Sequence, residues 1–132
     1  MSDRSDVFAL LERYKAGFDE YDDVKIRSCF SWPCTVITPD GPVSIDEPPA
    51  TTAQMKALKN WHRTVHWEID VIAASATKAH VAVRNFERLR SDGTLIECGS
   101  GLYVLGKTDQ GWKICAISAI DFPANAARHF SV

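Results

Sequence analysis

The second half of the chain alternates between apolar and polar residues over long stretches, and short Asp/Gly turns separate these stretches. The first stretch places Val65, Trp67, Ile69 and Val71 on one side of an extended chain. The later ones read AHVAVRNFERLR, LIECGSGLYVLGK and WKICAISAID, with the turns SDGT and TDQG between them. This period of two, joined by tight turns, predicts four long strands of an antiparallel meander.

The first half of the chain has a helical period instead. Val7, Leu11, Tyr14 and Phe18 recur at intervals of four, three and four residues, which predicts a helix over roughly 5–20. The segment DDVKIRSCF predicts a short second helix, and CTVIT and VSI around the turn PDGP predict a small hairpin. A capping box that begins at Thr51 predicts the start of a third helix.

This order of elements predicts an α+β fold in a single domain (1–132). Three N-terminal helices should pack on one face of a strongly curved antiparallel sheet, with Leu58 and Trp61 on one face of the third helix. Gly99 and Gly101 lie inside the third long strand, where glycine commonly marks a bulge or a bend. A bent sheet covered by helices encloses a cone, so we expect a cone with an internal pocket.

The composition narrows the classes of partner. Hydrophobic residues make up 45% and charged residues 24% of the chain, and the net charge is −2, so nothing favours nucleic acid or a membrane surface. The N-terminal residues lack the pattern of a signal peptide, and we expect a cytoplasmic protein. The four cysteines are expected to be reduced, and their spacing and that of His62 and His66 predict no metal site and no cofactor.

Three segments carry a resemblance to a known superfamily. The helix LLERYKAGFDEYDDVKIRSCF, the hairpin TVITPDG and the closing strands GLYVLGKTDQGWKICAIS resemble the nuclear-transport-factor-2-like superfamily, in its polyketide-cyclase-like and ketosteroid-isomerase-like branches. The resemblance implies a cystatin-like cone fold. It leaves the function open, because isomerases, cyclases, dehydratases, epoxide hydrolases and non-catalytic binders share this cone.

The isomerases of this superfamily test the resemblance residue by residue. Tyr14 matches the tyrosine that those enzymes use as an oxyanion donor. Their general base, an aspartate, corresponds to Thr38, which cannot act as a base near neutral pH. Their second donor, a protonated aspartate, corresponds to Ser100 and Gly101, which carry no carboxyl. The chain is therefore not expected to be a ketosteroid isomerase.

The pocket residues follow from strand alternation. In the second long strand Asn85 and Glu87 share a face with Val81 and Val83, so they are expected to point into the cone, where Glu87 could shuttle protons. The predicted catalytic residues are Tyr14, Glu87 and Asp121. The predicted ligand-binding residues are Tyr14, Phe18, Trp32, Thr38, Trp61, Trp67, Asn85, Glu87, Cys98 and Ser100.

The last strand is apolar on both faces, which predicts a covered outer face. Phe86, Cys115, Ile117 and Ala119 fall opposite the expected core, and a second copy of the chain would bury them in a homodimer. The alternative is a monomer whose own C-terminal segment, 123–132, covers this face.

Three functions fit these expectations. The first is a homodimeric domain that binds a small, mostly apolar molecule. The second is a lyase, isomerase or cyclase that acts by acid/base catalysis on a small cyclic or polyketide-like substrate. The third is an interaction module whose cone is filled by its own side chains.

Overall fold

A computed structural model describes the backbone of residues 3–123 and the side chains of residues 3–120. Residues 3–123 form three helices and seven strands. The helices are α1 (Asp3–Asp19), α2 (Asp23–Ser28) and α3 (Thr52–Lys59). The strands are β1 (Phe30–Thr38), β2 (Gly41–Ile45), β3 (Arg63–Val65), β4 (Glu68–Ala74), β5 (Lys78–Leu89), β6 (Leu95–Thr108) and β7 (Gly111–Pro123).

The helices begin where the sequence predicts. Val7, Leu11 and Tyr14 form the buried stripe of α1. The Thr51 side chain and Gln54 complete the capping box of α3. The expected inner face of α3 is wrong, however, because the helix ends at a left-handed Asn60 and Leu58 is 81% exposed.

The strands form one curled, unclosed sheet in the order β2-β1-β7-β6-β5-β3, and β4 also pairs with β5. All neighbours are antiparallel except β1 and β7, which run parallel. The first alternating stretch is two strands rather than one, since His66 has a φ of +62° between β3 and β4. The helices pack on the inner face of the sheet, as in the predicted α+β cone.

A β-bulge in β5 changes the side-chain alternation. The pairing of β5 with β6 shifts between Val83 and Phe86, and Asn85 within the shift has a φ of +57°. Val83 faces the core before the bulge, and Phe86, only 4% exposed, faces it afterwards. Glu87, the next residue, therefore points to the outer face. The expectation that Asn85 and Glu87 face the interior is wrong for this reason.

A second bulge changes the side-chain alternation in β7. The pairing of β7 with β6 skips Cys115, because Val104 pairs with Ala116 while Leu105 pairs with Ile114. Ile117 then joins Ile114 on the inner face and is 7% exposed. The expectation that Phe86 and Ile117 lie on the outer face is wrong, since both belong to the core.

Candidate functional site

The interior of the cone is lined by aromatic rings that surround Tyr14. The Tyr14 ring meets those of Phe18, Phe30, Trp67 and Tyr103 edge-on, with centroid distances between 5.1 and 5.9 Å. Such edge-to-face pairs are favourable because the positive edge of one ring meets the negative face of the next. The buried stripe of α1 thus places the Tyr14 hydroxyl inside a cluster of aromatic rings.

The Tyr14 hydroxyl stays protonated there. Burial, followed by the charge and hydrogen bond of Tyr103, raises the pKa of Tyr14 well above its ordinary value, although the Arg88 cation acts in the opposite direction. The hydroxyl can therefore offer or accept a hydrogen bond but is a poor proton donor at neutral pH.

A group of charged residues lies beside these rings, where the end of α3 meets the inner face of the sheet. Arg88 follows Phe86 on the inner face, its guanidinium carbon lies 4.9 Å from the centre of the Phe86 ring, and it donates a hydrogen bond to Glu97 of β6. Lys59, at the end of α3, donates to both carboxylate oxygens of Glu97 at 3.1 and 3.0 Å. The side chains of Arg88 and Glu97 are only 17% and 13% exposed. We call Tyr14, Trp67, Arg88, Glu97 and Tyr103 together the cone site.

Glu97 is held in its ionised form. Burial alone would raise the pKa of Glu97, but the hydrogen bonds and charges of Lys59 and Arg88 outweigh it and lower the pKa below the ordinary 4.5. Because the pKa is lower in the folded chain, this contribution to stability is complete above pH 4.5 and is lost as the pH falls through the folded value.

The substitution Glu97→Gln should therefore have a pH-dependent effect. At pH 7 we expect the variant to lose about 1.5–3 kcal/mol of unfolding free energy, the usual range for a hydrogen bond to a charged group. Denaturant unfolding at pH 7 and below pH 4.5 should show that the difference from wild type shrinks in acid. Glu12→Gln, on the exposed side of α1, controls for the loss of a carboxylate. A constant difference at both pH values would contradict this account of Glu97.

Trp67 contributes a second polar group to the aromatic cluster around Tyr14. Its ring stacks on Phe86 at a centroid distance of 5.7 Å and meets Tyr14 edge-on at 5.9 Å. Its indole Nε1 is buried and has no hydrogen-bond partner among the described residues. Native proteins satisfy most buried donors, so this N–H is a donor whose acceptor is not among the described residues.

Two other predicted aromatic residues, Trp61 and Trp32, contact the rings that surround Tyr14. Trp61 is buried, donates from Nε1 to Thr64 at 2.8 Å and touches Phe18 edge-on. Trp32 stacks on Phe30 and lines a surface depression of about 450 Å³ beside the turn between β6 and β7. Trp32 therefore lies one ring away from Tyr14.

The predicted polar residues lie elsewhere. Thr38 donates to the Gly41 carbonyl and accepts from the Asp40 N–H, so it stabilises the β1–β2 turn. Cys98 and Ser100 share a face as predicted, but it is the outer face, because they alternate with Glu97 on β6. Asp121 pairs with Gly99 in the strand register, and its side chain lies outside the described residues.

The outer-face carboxylate has a partner of its own. Glu87 contacts Nδ1 of His66, and the His66 side chain is 68% exposed. Asn85 donates from its side chain to Glu68 at 3.1 Å, and its backbone N–H donates to the Ser100 hydroxyl. These residues form a polar cluster on the sheet surface, separate from Tyr14.

Arg88 and Glu97 were expected as possible partners at the rim of the outer face, and neither was predicted to face the interior. Strict alternation assigned Arg88 to the outer face, and only a bulge signal at Asn85, a residue type that tolerates positive φ, could have corrected the assignment. Among the described residues no three His, Cys, Asp or Glu side chains are grouped as a metal site. None of the helices described in 3–123 is long and apolar enough to cross a bilayer.

Solved structures share this architecture. A domain of unknown function with a cystatin-like fold from Nostoc punctiforme is 20% identical, with a TM-score of 0.71 over 97% of this chain and 82% of that one. A conserved protein from Planctomyces limnophilus is 11% identical, with a TM-score of 0.69 over 92% of this chain and 97% of that one. A candidate dehydratase of the NTF2-like family from Streptomyces avermitilis is 15% identical, with a TM-score of 0.62 over 89% and 94% of the two chains.

At these identities the similarity shows the fold alone. No curated protein matches the sequence. The family model described as "NTF2-like protein (DUF6841)" matches residues 5–121, which include α2, α3, most of α1 and nearly all of the described sheet. The chain therefore belongs to the NTF2-like family DUF6841.

Proposed function

We propose that this domain is a cytoplasmic binding protein for a small, mostly apolar ring compound that carries a hydrogen-bond acceptor. The observation that carries the proposal is the buried Trp67 N–H without an acceptor, which lies in the wall of the cone beside Tyr14. A buried unsatisfied donor costs about 1–3 kcal/mol. A ligand carbonyl that accepts from this N–H would remove that cost, while its rings replace contacts with the aromatic wall.

The charges at the open end support the same proposal. Arg88 and Glu97 are largely withdrawn from water, although an apolar pair of similar size would serve a purely structural core equally well. Ligand sites characteristically combine an apolar wall with a few fixed polar groups that orient the bound molecule. The cone site has this composition.

Calorimetric titration with 1-tetralone, a bicyclic aromatic ketone, tests the proposal. Tetralin has the same rings without the carbonyl and serves as the matched ligand. We expect 1-tetralone to bind more tightly, and Trp67→Phe to weaken it by about five- to tenfold, the effect of about one hydrogen bond. Trp112→Phe removes another buried, unpartnered indole N–H and should leave the affinity unchanged. If neither compound binds, the cone is a chamber filled by its own side chains and the proposal fails.

An acid/base enzyme is the second candidate, and the similarity to the candidate dehydratase favours it. The pKa of Tyr14 is raised and that of Glu97 is lowered, so both values are shifted away from neutrality, where proton transfer is efficient. Binding is therefore the better-supported function. Turnover of cyclic ketones, enones or epoxides that is lost in Tyr14→Phe would favour the enzyme.

We further propose that two copies associate through the outer face of the sheet. By strand register Ile37, Leu102 and Ile120 lie there, and they are 52%, 45% and 57% exposed. Val104 and Ala116 adjoin them in the strand register. A contiguous apolar surface of this kind is typical of an interface, and a two-fold axis would pair each patch with its own copy. We call these five residues the outer patch.

A further inference from the structure

We propose that α3 is a hinged lid over the open end of the cone, and that the ion pair between Lys59 and Glu97 holds it closed. The inference rests on the proposed binding function, because it describes how a ligand reaches the cone site. Its structural part, the opening of α3, can be measured without any ligand.

The helix spans the gap between the helical layer and the inner face of the sheet. At its first residue, the Thr52 N–H and hydroxyl donate to the Asp23 carboxylate of α2 at 2.9 and 3.0 Å. At its last residue, Lys59 reaches Glu97 on β6. Between these ends, the Lys56 ammonium lies 3.6 Å from the centre of the Tyr21 ring. These contacts place α3 across the end of the cone where Glu97 lies.

Little else fixes α3 in this position. Thr52 is its only buried residue, and Leu58 is 81% exposed. Most helical stability in proteins comes from packing an apolar face, and an eight-residue helix has little stability of its own. An element that buries few apolar side chains and is fixed mainly at its ends opens at a low cost in free energy.

Asn60, the residue at which α3 can rotate, lies next to the ion pair between Lys59 and Glu97. Asn60 adopts a left-handed conformation with a φ of +55°, and Trp61 after it is 2% exposed and bonded to Thr64. The chain is therefore anchored by buried contacts from Trp61 onward, whereas α3 before it is held mainly by the polar contacts of Thr52, Lys56 and Lys59. Rotation at Asn60 would carry Lys59 away from Glu97 without disturbing the anchor.

The cone site needs such an opening. Tyr14 is 7% exposed and surrounded by rings, and the Trp67 Nε1 atom is out of reach of solvent. A ring compound cannot reach this N–H unless a wall of the chamber moves. Glu97 connects the lid to the cone site, because it binds both Lys59 of α3 and Arg88 of the cone site.

Hydrogen–deuterium exchange of the full chain tests the lid. We compare wild type with Lys59→Met, which keeps the apolar stem, and Lys59→Glu, which repels Glu97. Lys15→Met is the matched control, since it removes a lysine that pairs with Asp19 on the surface of α1. We expect amides of α3 to exchange about two- to fivefold faster in Lys59→Met, the range for a partly exposed ion pair, and faster still in Lys59→Glu.

Protection of β5 and β6 should remain unchanged in all four proteins, and 0.5 M NaCl should accelerate α3 in wild type more than in Lys59→Met. Equal α3 exchange in wild type and Lys59→Glu would overturn the lid, as would an acceleration spread evenly over the chain. Titration with 1-tetralone separates the two proposals. Faster α3 exchange in the Lys59 variants without binding of 1-tetralone in any variant supports the lid and overturns the binding function. Binding of 1-tetralone with unchanged α3 exchange supports the binding function and overturns the lid.

Discussion

Phe86→Ala is expected to lower the free energy of unfolding by about 3–5 kcal/mol, the usual cost of deleting a buried aromatic side chain. The ring is 4% exposed and stacks on Trp67, and the Arg88 guanidinium lies over it. Its loss would leave a cavity in the wall of the cone and remove one side of the stacked pair. Denaturant unfolding of the purified variant, with the midpoint and slope compared with wild type, measures the effect.

The neighbouring substitution Glu87→Ala is the matched control. Glu87 lies on the other face of the same strand and contacts only partly exposed groups, so its loss should cost less than about 1 kcal/mol. The pair tests the bulge at Asn85 directly, because strict alternation predicts the opposite ranking. A large effect of Glu87→Ala with a small effect of Phe86→Ala would mean that the alternation of inward and outward side chains in β5 is not reversed at Asn85.

Leu102→Asp is expected to raise the dissociation constant of the proposed dimer by at least about 100-fold. The substitution puts a carboxylate at the centre of the outer patch, where association would remove it from water without a partner. Sedimentation equilibrium at micromolar concentration should give twice the chain mass for wild type and the single-chain mass for the variant.

Arg84→Ala is the control on the same face. Its guanidinium forms a surface pair with Asp70 at 3.0 Å, and the loss of such a pair changes association little. Ile117 is unsuitable for this test because it is buried in the core, so a charge there would unfold the chain. A wild-type protein that sediments as one chain, with or without Leu102→Asp, contradicts the dimer.

The sequence predicted the fold because the strongest signals act locally. The buried stripe of α1, the capping box at Thr51 and the long alternating strands each arise from residues close together in the chain. The parallel pairing of β1 with β7 was not predictable in this way. It joins segments about eighty residues apart and has no local signature.

The candidate site was predicted only in part, for a physical reason that two residues illustrate. Tyr14 was correctly expected to face the interior because it lies in the uninterrupted periodic segment of α1. Trp67 also faces the interior as expected, although the strand that predicted it is broken at His66. Arg88 and Glu87 were assigned to the wrong faces, because one inserted residue at Asn85 reverses every side chain that follows. Asparagine tolerates the left-handed conformation, but its presence in a strand does not by itself require a bulge.

Ligand binding beside Trp67 can be observed in the indole ¹H–¹⁵N signals of the four tryptophans, with each signal assigned by a Trp→Phe variant. Trp67 and Trp112 both carry a buried N–H without a described partner, but of these two rings only Trp67 has a described contact with the Tyr14 ring. On addition of 1-tetralone, we expect a saturable shift of the Trp67 signal, a much smaller effect with tetralin, and an unmoved Trp112 signal. A Trp67 signal that stays fixed at saturating 1-tetralone, or that moves together with Trp112, would contradict ligand binding in the cone.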